Sequence, residues 1–209
     1  MAEVRPILKE GDHEANVILI AIDKQKVTAV SLLDMSKAFD SLSHGRILLD
    51  KLQDVGASTS ALKWFENYLS NRKQVVRTNS AVSNLLPVVS GVPQGSILGP
   101  LLFTIYVNDL STVTKNSSSE CYVDDIKLLM SFRVHECNNT VIAMNQDLLG
   151  IRNWCFDNRL LLNPDKTKLI VYGSRQMMDK LREFHLSLLG NDLVPVQTVK
   201  DLGVTFDKT

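Results

Sequence analysis

Two short apolar runs, Cys121-Tyr122-Val123 and Ile126 to Met130, are separated only by Asp124-Asp125. Two intervening residues is hairpin spacing. The pattern predicts a pair of antiparallel strands with two acids at its tip. A third run, Val27 to Leu33, is nearly continuous, apolar and rich in β-branched residues. It reads as a buried strand that ends in Asp34. Side chains alternate faces along a strand, so Asp34 and the hairpin tip converge only if these strands lie side by side in one sheet.

The remaining elements are helices and short strands. Leu48, Leu52 and Val55 follow a candidate cap at Ser43 and precede Gly56, which predicts a helix with a glycine stop. Leu62, Phe65 and Leu69 mark a second helix over about Ala61 to Leu69. Val75-Val76 and Leu86 to Val89 read as short strands. The glycine-proline loop Gly91 to Gly95 opens into a helix with Pro100 in its first turn. The polar run Ser111 to Glu120 reads as a surface loop. A long helix is predicted over about Glu136 to Asn158, then a strand over Leu169 to Tyr172. A hairpin turning at Gly190-Asn191 and a last strand, Val204 to Phe206, follow. Helices and strands mix without a regular βαβ repeat, which favours an α+β fold.

Composition narrows the functional classes. Hydrophobic residues make up 44% and charged residues 22%, as in a folded chain. No apolar run reaches the roughly 18 residues of a membrane span, so no membrane partner is expected. The start lacks a signal-peptide pattern. Cys121, Cys137 and Cys155 form no CxxC pair, which predicts reduced thiols in an intracellular protein, with nucleus or cytoplasm left open. Net charge is zero, whereas nucleic-acid-binding domains are usually basic.

Carboxylates brought together in a partly dry site repel, and cations keep them ionised. Hard divalent ions with oxygen ligands suit such a site. Two of them about 3.5–4 Å apart can serve both the attacking and the leaving oxygen of phosphoryl transfer. The same residues have plainer readings: Asp124-Asp125 as a solvated turn, and Asp34 as a helix cap or strand-ending acid.

Three further features bear on the same chemistry. In Gly91-Val-Pro-Gln-Gly95, the glycines permit close backbone approach to a ligand, and the following helix N-terminus favours phosphate. Gln94 offers an amide for a base or sugar; a tight structural turn is the alternative. Lys166, in Leu162-Asn-Pro-Asp-Lys-Thr167, is either a solvated charge or a proton donor to leaving pyrophosphate. Arg72, Lys73 and Arg77 are either a basic edge strand or phosphate contacts.

Together these motifs resemble the reverse transcriptase domain of non-LTR (LINE-type, jockey-like) retrotransposons, over nearly the whole chain. The resemblance rests on Leu33-Asp-Met-Ser-Lys-Ala-Phe-Asp40 with His44, on Trp64-Phe65, Tyr68 to Arg72 and Gln74, and on Gly91 to Phe103. It rests also on Tyr122-Val-Asp-Asp125, on Leu161 to Asn163 with Lys166-Thr167, and on Leu202-Gly-Val204. It implies an α+β polymerase palm, an antiparallel sheet packed on helices. Asp34 and Asp124, with Asp125 close by, would be ligands of two Mg²⁺ ions, with Mn²⁺ as a substitute. Met35, Lys37 and Ala38 would lie near the incoming dNTP. Phe39 would exclude a ribose 2′-hydroxyl, Gln94 and Gly95 would touch nucleotide and template, and Lys166 would protonate pyrophosphate. Read from the residues alone, Phe39 has the rival reading of an ordinary core aromatic. Asp40 reads as an organiser of the following helix, and His44 as a packed or hydrogen-bonding residue.

The implied activity is RNA-directed DNA polymerisation, adding a dNTP to a DNA primer on an RNA template. The implied organisation is one palm fragment over residues 1–209, truncated, with 1–26 a remnant of the upstream fingers and no complete thumb. The alternative from another class is a catalytically inactive remnant that binds nucleic acid weakly.

Overall fold

The strand expected to end in Asp34 lies inside a sheet and runs two residues further, to Ser36. The computed structural model describes residues 10–44, 46–181, 183–201 and 204–207. In chain order the helices and strands are α1 (Glu10–Asp23), β1 (Val27–Ser36), α2 (Ala38–Ser41), α3 (Arg46–Asp54), α4 (Thr59–Leu69), β2 (Lys73–Gln74), β3 (Leu86–Pro87), α5 (Leu98–Val107), β4 (Ser118–Tyr122), β5 (Asp125–Phe132), α6 (Cys137–Asp157), β6 (Leu161–Tyr172), α7 (Arg175–Lys180), β7 (Leu186–Leu188), β8 (Asn191–Leu193), β9 (Thr198–Asp201) and β10 (Val204–Asp207). The architecture is mixed α+β, as expected. The chain divides into two compact units. One takes in the chain up to Met35, then Leu110–Trp154 and the chain from Leu162 onward; the other is Ser36–Asp109 with Cys155–Leu161.

The first unit carries a four-stranded sheet in the order β4-β5-β1-β6. β5 pairs antiparallel with β1, from Val27 opposite Phe132 to Leu33 opposite Ile126. Consecutive residues are buried in both strands, Val27 to Ser31 of β1 and Ile126 to Leu129 of β5, so both faces are covered there, which explains their near-continuous apolar sequences. Val30, Leu129, Ile170 and Tyr172 form one buried cluster with Ile18 of α1 and Val199 of β9, and Ile22, Leu32 and Val196 pack against it. A hydroxyl pair, Thr28 Oγ1 and Ser131 Oγ at 2.8 Å, marks the same face further along.

Both predicted hairpin turns sit one residue earlier than read. Tyr122 pairs with Asp125, so the turn is Val123-Asp124 and Asp125 begins the strand. Val123 takes φ 56°, and Leu189-Gly190 take 53° and 83°. Two-residue turns demand positive φ, which favours Gly or Asn and which aspartate tolerates better than valine. Register decided otherwise: a one-residue slip would turn every side chain of the strand to the opposite face.

The polar run read as a loop is largely ordered. A 3-10 turn covers Leu110–Val113, and Ser118 to Glu120 belong to β4. The organiser is buried Asp147 of α6. Its carboxylate accepts backbone N–H bonds from Lys115 (2.9 Å), Asn116 (3.0 Å) and Ser117 (2.7 Å). Burial pushes the Asp147 carboxyl up, but the backbone N–H groups of Lys115, Ser117 and Asn116 outweigh it and hold the pKa below the usual carboxylate value. A depressed native pKa contributes stability above the unfolded value of about 3.9, lost as pH falls through the native one. Asp147→Ala is expected to cost about 3 kcal/mol in urea melts at neutral pH. Asp147→Asn should flatten the loss of stability below about pH 4.

The second unit gathers α2 to α5. Ser58 caps α4, its Oγ accepting from Ala61 N at 3.3 Å. The structure moves three further predictions. Val75 and Val76 are exposed and lie outside β2, which pairs Lys73 with Pro87 and Gln74 with Leu86. β3 stops at Pro87, two residues short of Val89. Ser43 forms a bridge with Ser90, and among the described residues its side chain makes no helix-capping hydrogen bond. Leu202 and Gly203 lie outside the described residues. Among those described, no helix is long and apolar enough to cross a membrane.

Candidate active site

Asp34 sits near the end of β1, where the register with β5 brings it beside the hairpin. The last paired residues are Leu33 and Ile126. Continuing that register by one residue beyond its last pair would set Asp34 opposite Asp125. Directly opposed residues share a face, with Cβ atoms about 4.5–5.5 Å apart. Asp34 Oδ2 is buried without a hydrogen-bond partner, and the Asp34 N–H donates to Thr167 Oγ1 of β6 at 3.4 Å. Asp124 is half-buried in the turn, next to the positive-φ Val123. A β-branched residue in the left-handed region carries strain of about 1–3 kcal/mol.

These are hard oxygen donors, and one of them is an orphaned buried oxygen. That fits a divalent cation, which compensates a buried anion better than any neutral neighbour. Among the described residues no group of three or more His, Cys, Asp or Glu side chains is gathered to hold a metal. Mg²⁺ is commonly held by one or two carboxylates together with substrate phosphates, so a pair suffices.

The second unit joins two motifs far apart in sequence. Gly91 N donates to Leu42 O at 2.8 Å and Val92 N to Phe39 O at 2.9 Å. Ser90 Oγ donates to Asp40 O at 3.0 Å, and Gln94 Nε2 to Asp40 Oδ1 at 2.8 Å. His44 Nε2 is hydrogen-bonded to Gly91 O. Gly91 has φ 81°, and a Cβ there would lie 2.7 Å from Asp40 Cα. Gly91→Ala is therefore expected to destabilise the protein by about 1–3 kcal/mol from backbone strain alone, with the overlap added, read as a lower urea midpoint. At Gly95, φ is 76° and nothing lies within 4 Å of a Cβ, so that backbone is open to close approach.

Comparison with known proteins bears on what this arrangement is. Residues 5–206 match the family model "Reverse transcriptase (RNA-dependent DNA polymerase)". The chain belongs to the reverse transcriptase family. It is 30% identical over 200 residues to a probable RNA-directed DNA polymerase from transposon BS of Drosophila melanogaster, covering 91% of this chain and 21% of that protein. It is 23% identical over 204 residues to the RNA-directed DNA polymerase from mobile element jockey of the same species, covering 92% of this chain and 21% of the relative. The chain thus spans about a fifth of these relatives' length. Among solved structures, apo telomerase from Candida tropicalis truncated from its C-terminal domain matches with TM-score 0.59 at 15% identity, over 91% of this chain and 39% of that one. Telomerase of the same organism with a fragment of telomeric RNA matches with TM-score 0.59 at 12% identity, over 80% and 30%. The fold is that of a reverse transcriptase palm.

The other residues singled out in the sequence of this reverse transcriptase segment are placed as follows. Met35 and Ala38 are buried, and Lys37 is exposed in the left-handed conformation, φ 49°. Phe39 stacks on buried Phe103, ring centroids 4.7 Å apart, as a core aromatic would. Asp40 anchors Gln94, and His44 acts as a hydrogen-bonding residue. Lys166 is exposed on β6, its N–H donating to Asn163 Oδ1 at 3.4 Å. Sequence reasoning passed over the role of Thr167. Its Oγ1 donates to Asn163 O at 2.8 Å and accepts from Asp34 N, so it ties the carboxylate-bearing strand to a local turn within β6. The turn-forming Asn163-Pro164-Asp165 ahead of a threonine was the available signal.

Proposed function

We propose that this segment is the catalytic palm of an RNA-directed DNA polymerase from a non-LTR retroelement. It would extend a DNA primer by one dNTP at a time on an RNA template and release pyrophosphate. The observation that carries the reading is the buried, unpartnered Asp34 Oδ2 on a strand whose register leads to Asp125 and the Asp124 turn.

Asp34 and Asp124, assisted by Asp125, would hold the Mg²⁺ ions, Mn²⁺ serving in their place. Bound ions would neutralise charge on the attacking 3′ oxygen and the leaving phosphate. The chain's own residues position the reactants. The backbone from Met35 through Lys37 and Ala38 would border the triphosphate. Phe39, fixed on Phe103, would meet the sugar and disfavour a 2′-hydroxyl. Gln94, steadied by Asp40, and the open backbone at Gly95 would contact the nucleotide and template. Lys166 Nζ would give a proton to pyrophosphate.

The test is primer extension on an RNA template with Mg²⁺ or Mn²⁺. Extension that disappears in Asp124→Asn supports the reading. Salt-sensitive binding without extension supports the alternative, an inactive remnant that binds nucleic acid weakly.

A further inference from the structure

We propose that Trp64, Tyr68 and Arg72 form a base-stacking platform for single-stranded nucleic acid, with Lys73 and Arg77 taking its phosphates. The choice of occupant rests on the polymerase reading; the platform itself rests on geometry that no catalytic role accounts for.

α4 turns Leu69 fully inward and half-buries Leu62 and Phe65. Trp64, on the flank of that stripe, remains 54% exposed. Its ring lies nearly parallel to Tyr68, with centroids 5.4 Å apart and planes at 7°. Phe65 meets it edge-on at 5.1 Å and 83°, which braces it. Arg72 lies over the Tyr68 ring, its guanidinium carbon 4.5 Å from the centroid.

The guanidinium is held in place. Arg72 Nε donates to Tyr68 O at 2.7 Å, satisfying a carbonyl of the last helical turn. Val88 N donates to Arg72 O at 2.8 Å, and β2 pairs with β3 immediately beyond. The cation and both rings are therefore ordered before any ligand arrives, which lowers the entropic cost of binding.

Charge selects the occupant. The chain is neutral overall, yet from Tyr68 to Asn108 it carries Arg72, Lys73 and Arg77 and no Asp or Glu. An aromatic centre with the cationic rim Arg72, Lys73 and Arg77, against the single acid Glu66 on α4, suits a polyanion with flat bases. Every base has a π-face, so the platform would hold a strand without reading its sequence. A protein partner would instead cover the exposed Val76, Leu85 and Leu86 of the neighbouring arm, and that outcome is built into the test.

The probe is a short fluorescein-labelled oligouridylate, titrated into the full chain and followed by anisotropy and tryptophan emission. Trp154 is buried at 7% exposure, so quenching reports on Trp64. Trp64→Leu should weaken binding about 10-fold or more, while Trp64→Phe, which keeps a stacking face, should retain most of it. Arg72→Ala with Lys73→Ala should reduce the slope of affinity against salt. Unchanged affinity in Trp64→Leu, oligouridylate bound without quenching, or no binding by the wild type would overturn the platform. So would a Trp64-dependent self-association seen by sedimentation without oligonucleotide binding. Primer extension separates the two ideas. Binding lost in Trp64→Leu while the wild type fails to extend would keep the platform and remove the polymerase. Extension with Trp64→Leu binding normally would do the reverse.

Discussion

Asp34→Asn is expected to abolish primer extension while leaving the protein at least as stable as the wild type in metal-free buffer. The two effects have one cause. Asp34 Oδ2 is buried with no hydrogen-bond partner, so its charge costs free energy in the absence of a cation. Removing the charge is read as an unchanged or higher urea midpoint. Losing groups that merely support metal ligands costs ~10–100-fold, and a ligand itself should cost at least ~100-fold in extension rate. The same pair of proteins supplies a control without activity. Mn²⁺ at about 100 times its dissociation constant stabilises the state that binds it by about 2.7 kcal/mol. The wild type should show such a gain, and Asp34→Asn a much smaller one. A variant that unfolds at lower urea than the wild type, or that keeps its response to Mn²⁺, would contradict this account of Asp34.

The second large effect is expected one row further along the same sheet face. Lys127 pairs with Leu32 across the strands, and its Nζ lies 3.0 Å from Glu14 Oε2 of α1. Both side chains are almost wholly buried, at 4% and 3% exposure. A buried ion pair gains little net stability over an apolar pair of similar size, because desolvation offsets attraction. Breaking it is different: the survivor is a buried charge without its counter-ion. Glu14→Leu and Lys127→Met alone should each lose about 3–5 kcal/mol, and the double variant should recover most of the loss. Chemical denaturation of the four proteins gives the coupling directly. Additive losses would mean that the pair does not act as one unit.

Much of this architecture is legible in the sequence because it follows from local pattern. The apolar run before Asp34, the Gly56 stop and the long amphipathic stretch that became α6 each carry their own signal. Helix α6 runs Cys137–Asp157 against a reading of about Glu136 to Asn158. What pattern cannot show is set by partners distant in sequence. Val123, not Asp125, shares the turn with Asp124 because β5 is already in register with β1. Ser118 to Glu120 become a strand because they pair with Lys127 to Leu129 of β5. Asp147 ties down the turn just before them, through donors some thirty residues away. Val75 and Val76 have strand-forming side chains, but the chain pairs at Lys73-Gln74 instead.

The candidate site divides in the same way. The motif strings identify Asp34, Asp124, Gly91 and Gln94, since each is bounded by a distinctive run. Their connections are not visible there. That His44 grips Gly91 O and Asp40 holds Gln94 follows only once the two segments are brought together. Thr167 reads as an ordinary strand residue until its hydroxyl is seen against the Asp34 amide.

The most direct test is anomalous diffraction from crystals soaked in Mn²⁺ with a primer–template and a non-reactive dNTP analogue. A manganese peak coordinated by carboxylate oxygens of both Asp34 and Asp124 is the predicted result. Manganese bound to neither residue, with the Asp34 carboxylate directed away from the hairpin tip while the soaked protein still extends primers in solution, would contradict it.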